Sequence, residues 1–249
     1  MTNYIFFFLV ILLANIIQGI TGFAGTILAM PPSLMLVGYP VAKPVLNVLG
    51  LLSGIYVYLG YKKHVCWKEL KKIVAVMAVG IFGGILIRGL FAEKEQILYK
   101  LLGIFVIFLA AQGMYTMLCG KQEEGSGGEA ASDSPALYGI LGLAGIVHGI
   151  FVSGGPLLIS YLTRKIKDKT SFRATISTVW IFLNSLILAD DIRAGYWTGS
   201  LVKTFGAAVP FFAAGMAIGT KLYARMSQRL FMMITYILLF ISGISLLVK

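Results

Sequence analysis

Acidic side chains are the scarcest class in this chain: ten Asp and Glu against 21 Lys and Arg in 249 residues, with charged residues only 12% of the total. Soluble domains carry about 25% charged residues, so a water-facing body of this size would have too little polar cover. Cytosolic, secreted, fibrous and disordered classes are excluded together. Histidine and cysteine are almost missing, with two of each. Cys66 and Cys119 stand at the ends of apolar runs in neither a zinc nor a redox spacing, which predicts a structural role for both and no metal site. His-Glu-x-x-His, a paired intramembrane Asp, a Walker sequence and a Rossmann fingerprint are all missing. No enzyme activity and no cofactor are therefore expected. Groove-reading modules are missing too, so the net charge of +11 does not signal nucleic acid. Met1-Thr-Asn-Tyr has no positive n-region, so the first apolar segment is expected to stay in the mature protein.

What is present is apolar matter: 58% of residues are hydrophobic and the mean hydropathy is +0.88. A membrane span needs about 20 apolar residues. That ruler marks eight segments, near 4 to 39, 44 to 61, 73 to 91, 97 to 119, 136 to 162, 174 to 189, 201 to 220 and 230 to 248. The expected class is an all-α polytopic membrane protein. Residues 120 to 135, rich in Gly, Ser and Glu, read as a flexible linker between a first membrane repeat (1–119) and a second (136–249).

A gapless offset of 130 aligns the halves. It places Gly19 on Gly149, Gly25 on Gly155, Trp67 on Trp197 and Gly113 on Gly243. The first segment of each half is too long for one span and is interrupted, by Gly19, Gly22, Gly25 and Pro31-Pro32 in one and by Gly149, Gly154, Gly155 and Pro156 in the other. Glycine costs about 1 kcal/mol in a helix interior and proline about 3, so each stretch predicts two half-helices around unwound backbone. Such backbone is tolerated at membrane depth only where protein or a wet cavity buries it. The basic residues test the topology. If all eight segments cross, nine Lys and Arg fall on the N-terminal side and twelve opposite; if segments one and five enter and return, the split is seven against fourteen. The second arrangement follows the positive-inside rule and gives inverted repeats, each a broken or re-entrant segment plus three transmembrane helices, with the linker in the cytoplasm.

Paired broken helices in inverted repeats point to a midplane substrate site. Exposed helix N-termini carry partial positive charge and free N–H groups, which suit a small oxyanion. The expected substrate-binding residues are Gln18, Gly19, Thr21, Gly22 and Gly25 at the first break, and His148, Gly149, Ser153, Gly154 and Gly155 at the second; the alternative for the glycines is close helix packing. Asn47 in segment two and Ser177 and Asn184 in segment six are expected to line the cavity. His148 takes a proton with the anion, supplies an uncharged hydrogen bond as its repeat counterpart Gln18 could, or is a neutral histidine packing between helices. Lys43 and Arg173, equivalent at the offset, either guide anions to the pathway mouths or snorkel to the interface. Arg88 reads as an interfacial anchor, and Asp190-Asp191 as a solvated helix end.

The strings Gly-Ile-Thr-Gly-Phe-Ala-Gly at 19 to 25 and Gly-Ile-Phe-Val-Ser-Gly-Gly-Pro-Leu-Leu at 149 to 158, with the duplication and the length, resemble the TauE/SafE family of sulfite exporter-like transporters over essentially the whole chain. The resemblance implies movement of sulfur-containing or organic anions such as sulfite, thiosulfate or sulfoacetate across a bacterial inner membrane, with Gly19, Gly22, Gly25, Gly149, Gly154 and Gly155 carrying the site. The expectation is a secondary transporter working by alternating access. An anion channel and a structural subunit of a larger membrane complex are the alternatives. Its partners are a small anion and the lipid bilayer; coupling to protons or a counter-ion, and a homodimer, stay open.

Overall fold

The computed structural model describes residues 2–90, 95–119, 135–166 and 168–223, with isolated positions between 233 and 247. The linker at 120 to 134 and most of the eighth apolar segment lie outside the described residues. Every regular element among the described residues is helical. In chain order they are α1 (Thr2–Thr21), α2 (Gly25–Val37), α3 (Tyr39–Tyr61), a 3-10 turn (Lys62–His64), α4 (Trp67–Leu90), α5 (Glu95–Cys119), α6 (Pro135–Phe151), α7 (Gly155–Lys165), α8 (Lys169–Arg193) and α9 (Gly199–Tyr223). Five of these regions are long and apolar enough to cross a membrane: α1, α3, α4, α8 and α9.

Both expected breaks are present, at 22–24 and 152–154. The prolines behave differently from the expectation. Pro31 and Pro32 sit inside α2, whereas Pro156 occupies the first turn of α7, where a missing N–H costs nothing. At 1.5 Å per residue α2 spans about 20 Å, short of the roughly 30 Å hydrocarbon layer. It folds back along α1: the Asn3 amide donates to Leu36 O at 3.3 Å, and a Cβ on Gly25 would lie 2.7 Å from Ala14 O. The two helices are therefore an antiparallel hairpin.

Packing exchanges helices between the halves. α1 lies along α9, α4 along α6, and α3 along α8. Under the offset of 130, α1 corresponds to α6, α4 to α9 and α3 to α8, so the first two packings map onto each other and the third maps onto itself. The α1–α9 and α4–α6 crossings are so close that side chains are excluded. A Cβ on Gly19 would meet Met216 O at 3.0 Å, and one on Gly149 would meet Ile81 O at 2.6 Å. α3 and α8 run antiparallel on the axis of this exchange, with Lys43 beside Asp191, Asn47 beside Asn184, Gly54 against Ser177 O and Tyr61 beside Arg173. Lys43, Arg88 and Arg193 consequently share one end of the bundle, which the crossing of all eight segments would not allow.

Three expectations about charge are corrected here. Asp190 and Asp191 are not a solvated helix end: they are 7% and 0% exposed. Lys43 neither snorkels nor stands at an open mouth, because it is fully buried against Asp191. Arg88 is an ion-pair partner of Asp190 at 2.8 Å, not a free interfacial anchor. A carboxylate removed from water is stable only when paired, and both find a cation here.

Candidate functional site

The half-helices end in the same way in both repeats. The N–H of Gly22 donates to Gln18 O at 2.7 Å and that of Val152 to His148 O at 2.8 Å, each from a residue in the left-handed region, φ 80° and 55°. Glycine takes this conformation freely, whereas a β-branched residue is strained there by about 1–2 kcal/mol. Val152 is 3% exposed, and its packing holds the strained turn in place. Val152→Ala should keep the strain and lose the packing, while Val152→Gly loses the packing and the strain together. Thermal unfolding in detergent should therefore find Val152→Gly at least as stable as Val152→Ala, the reverse of the usual order; Ala being more stable by about 1 kcal/mol would refute the strain.

One polar side chain then ties each break to the following long helix. At the first, Gln18 Oε1 accepts from Gly25 N at 2.8 Å while its Nε2 donates to Ser53 Oγ at 2.9 Å, and the Ser53 hydroxyl donates to Gly50 O. At the second, His148 Nδ1 accepts from Gly154 N at 3.4 Å, which leaves the ring proton on Nε2, donated to Asn184 Oδ1 at 2.8 Å. Both ring nitrogens are thus engaged as a neutral imidazole, stacked on Trp180 with centroids 5.0 Å apart. Asn184 and Asn47 exchange amide-to-carbonyl bonds across the α3–α8 seam, at 3.3 and 3.0 Å.

Between the two breaks lies a cavity lined by Gln18, Phe23, Thr26, Ile27, Gly50, His148, Val152, Ser153, Gly155, Trp180 and Asn184. Its walls carry no charged side chain. It is a small recess with room for about one water. The first turns of α2 and α7 both open onto it, and neither N-cap residue, Ala24 or Gly154, offers a capping side chain. Two partial positive charges therefore face a polar space that contains no carboxylate. That arrangement favours an anion over a cation or a zwitterion.

Of the residues expected to bind substrate, Gln18, His148, Ser153, Gly155 and Asn184 come together at the cavity. Gly19 and Gly149 stand at the helix crossings instead. Thr21 accepts from Ala24 N at 3.1 Å and so shapes the first turn. Gly22, Gly25 and Gly154 belong to the turns around the cavity, with Gly22 facing Ser177 Oγ. Asn47 supports Asn184 from behind. Arg173 lies at the other end of the seam from Lys43, donating to Gly19 O at 3.0 Å and standing 5.5 Å from the Tyr61 ring centroid. Phe23 and Gly50 line the cavity with no polar signature to announce them. Trp180, one of the segment-six residues the sequence offers as a cavity liner, does line it, on the α8 face that meets His148. Among the described residues no group of three or more His, Cys, Asp or Glu is placed to hold a metal.

A relative named "Probable inner membrane transporter protein TsaS", from Comamonas testosteroni, is 25% identical over 187 residues, 74% of this chain and 73% of that protein. No solved structure matches the chain significantly. The family profile described as "Sulfite exporter TauE/SafE" matches residues 7–246. With paired helix breaks on an exchanged helical bundle, the chain belongs to the TauE/SafE family, whose members are membrane transporters and not enzymes.

Proposed function

We propose that the protein is a secondary transporter of a small sulfur-containing or organic anion, of the sulfite, thiosulfate and sulfoacetate class, in a bacterial inner membrane. The observation that carries this reading is the convergence of two helix N-termini, those of α2 and α7, on one polar cavity without charged walls. Residues 1–119 and 136–249 act as inverted repeats joined by a cytoplasmic linker. The clustering of Lys43, Arg88 and Arg193 at one end supports that topology, because the enter-and-return arrangement puts these three on the side with fewer basic residues. Gln18, Thr26, His148, Ser153, Gly155 and Asn184 contact the anion, the two breaks supply backbone N–H groups, and the α3–α8 seam is where the halves rock. A recess with room for about one water favours a carrier over a wide water-filled channel.

The test is a thermal-shift screen of the purified full chain against thiosulfate, sulfite, sulfoacetate, sulfate and simple carboxylates, followed by flux in liposomes. At 100 times Kd a bound ligand adds about 2.7 kcal/mol of apparent stability. A selective shift by one sulfur anion, with saturable flux of the same anion, is the expected result. Flux that does not saturate would replace the carrier with a channel. Silence in both assays, with partner subunits co-purifying, would replace it with a structural role.

A further inference from the structure

The α3–α8 seam ends in a buried charge cluster that lies outside the cavity lining. Lys43 pairs with Asp191, both side chains fully buried. Asp190 lies 3.9 Å from Lys43, 2.8 Å from Arg88 and 3.5 Å from the exposed Arg193. The Tyr196 ring stands 6.0 Å from both Lys43 and Arg88, and Tyr39 donates its hydroxyl to Ile150 O at the second break. His148 is the titratable group of α6 nearest in this direction, and both its ring nitrogens are engaged, by Asn184 and by Gly154 N. Lys43 and Arg88 balance Asp190 and Asp191 in charge, yet Asp191 is only half used. Its Oδ1 meets Lys43, while Oδ2 is buried with no hydrogen-bond partner among the described residues.

The duplication sharpens the point. At the offset of 130 Lys43 corresponds to Arg173 and Asp191 to Tyr61, so both ends of the seam carry a cation from one long helix against the end of the other. At one end the facing group is a carboxylate, and at the other an aromatic ring. Lys43 is also one helical turn from Asn47, whose amide bonds the backbone of the cavity residue Asn184. Asp191 itself lies about two helical turns from Asn184, and Lys43 about two turns from the cavity residue Gly50.

We infer that Asp191 is the proton-binding group that couples this carrier to a proton gradient, and that Lys43 is the cation for which Asp191 and the carried anion compete. The inference rests on the anion-carrier reading. A proton from water on one side adds to Asp191 Oδ2. Lys43 stays an ammonium but loses its counter-charge, and the anion takes the place of the carboxylate beside it. On the other side the O–H bond breaks, the proton leaves to water, and the restored carboxylate recaptures Lys43 and expels the anion. One proton and one anion move together, and the only bond made and broken is that O–H.

Thiosulfate is the probe, because it carries no titrating proton near neutral pH and any pH effect must then come from the protein. In liposomes holding the full chain, an inward proton gradient of one pH unit should raise thiosulfate accumulation by up to about tenfold for one-to-one coupling. In Asp191→Asn the gradient should change accumulation by a factor of one. A wild-type protein indifferent to the gradient, or an Asp191→Asn protein that still follows it, would overturn the assignment. Failure of the anion-carrier reading looks different: neither thiosulfate nor any other anion of the screen binds or moves. Infrared titration without ligand then decides, reading the wild-type-minus-Asp191→Asn difference in the carbonyl stretch of a protonated carboxyl as the pH is lowered. The band should appear in the wild type and be missing in Asp191→Asn. If that variant does not insert, Lys43→Gln/Asp191→Asn serves, since it leaves no uncompensated charge at the pair. No such band in the wild type, or one that persists in the variants, removes Asp191 as the proton site.

Discussion

Gly155→Leu should reduce anion flux to the level of empty liposomes while the protein still inserts and elutes as a single species. The reason is the direction in which a side chain would grow. A Cβ on Gly155 meets nothing closer than Phe23 O at 3.5 Å and Trp180 at 3.7 Å, which is ordinary contact. The fold therefore tolerates the first carbon, and the rest of the leucine fills a cavity that holds about one water. Gly155→Ala should fold normally and keep partial flux. The neighbouring Gly154→Ala should behave in the opposite sense, because its Cβ would stand 2.2 Å from the backbone oxygen of Ala144 and force the break apart. Full flux through a well-inserted Gly155→Leu protein would remove the cavity from the transport path.

The second large effect is on stability. Asp191→Leu should destabilise the protein by about 3–5 kcal/mol, the usual consequence of leaving a buried charge without its partner. Lys43→Met combined with Asp191→Leu should recover most of that loss, since an apolar pair of similar volume needs no desolvation of ions. The coupling between the two substitutions, read from chemical denaturation in detergent, separates a paired charge from two independent anchors. Additive losses would mean that Lys43 and Asp191 do not depend on each other, and the contact between their fully buried side chains would have no energetic weight.

The parts of this structure that were legible in the sequence are those encoded locally. Glycine clusters marked the two breaks because helix propensity is a short-range property, and the offset of 130 marked the duplication because Gly and Trp are conspicuous in apolar sequence. Gln18, His148 and Ser153 stood out as polar residues beside those breaks, and all three line the cavity. What escaped depends on long-range pairing. Asp191 and Lys43 are separated by 148 positions, and a carboxylate at a helix terminus looks the same in sequence whether water or an ammonium faces it. Val152 gave no warning either, since valine is among the residues least suited to the left-handed turn that Gly22 makes in the other half. Pro31 and Pro32 read as breakers and are carried within α2. Gly19 and Gly149 belong to the same glycine-rich strings as the cavity residues but point at the opposite neighbours, α9 and α4. A one-dimensional pattern does not distinguish the two faces of such a helix.

The close crossings of α1 with α9 and of α4 with α6 decide which parts of the molecule can stand alone. Each joins a helix of one half to a helix of the other through backbone-to-backbone contact at Gly19 and Gly219 or at Gly84 and Gly149, with no side chain between them to repack. A gene cut within the linker would thus yield two fragments that each lack the partner for a glycine face, and stable protein should accumulate only when both are made in the same cell. The ancestor implied by the duplication faced the same constraint: a single half could persist only by meeting a second copy of itself.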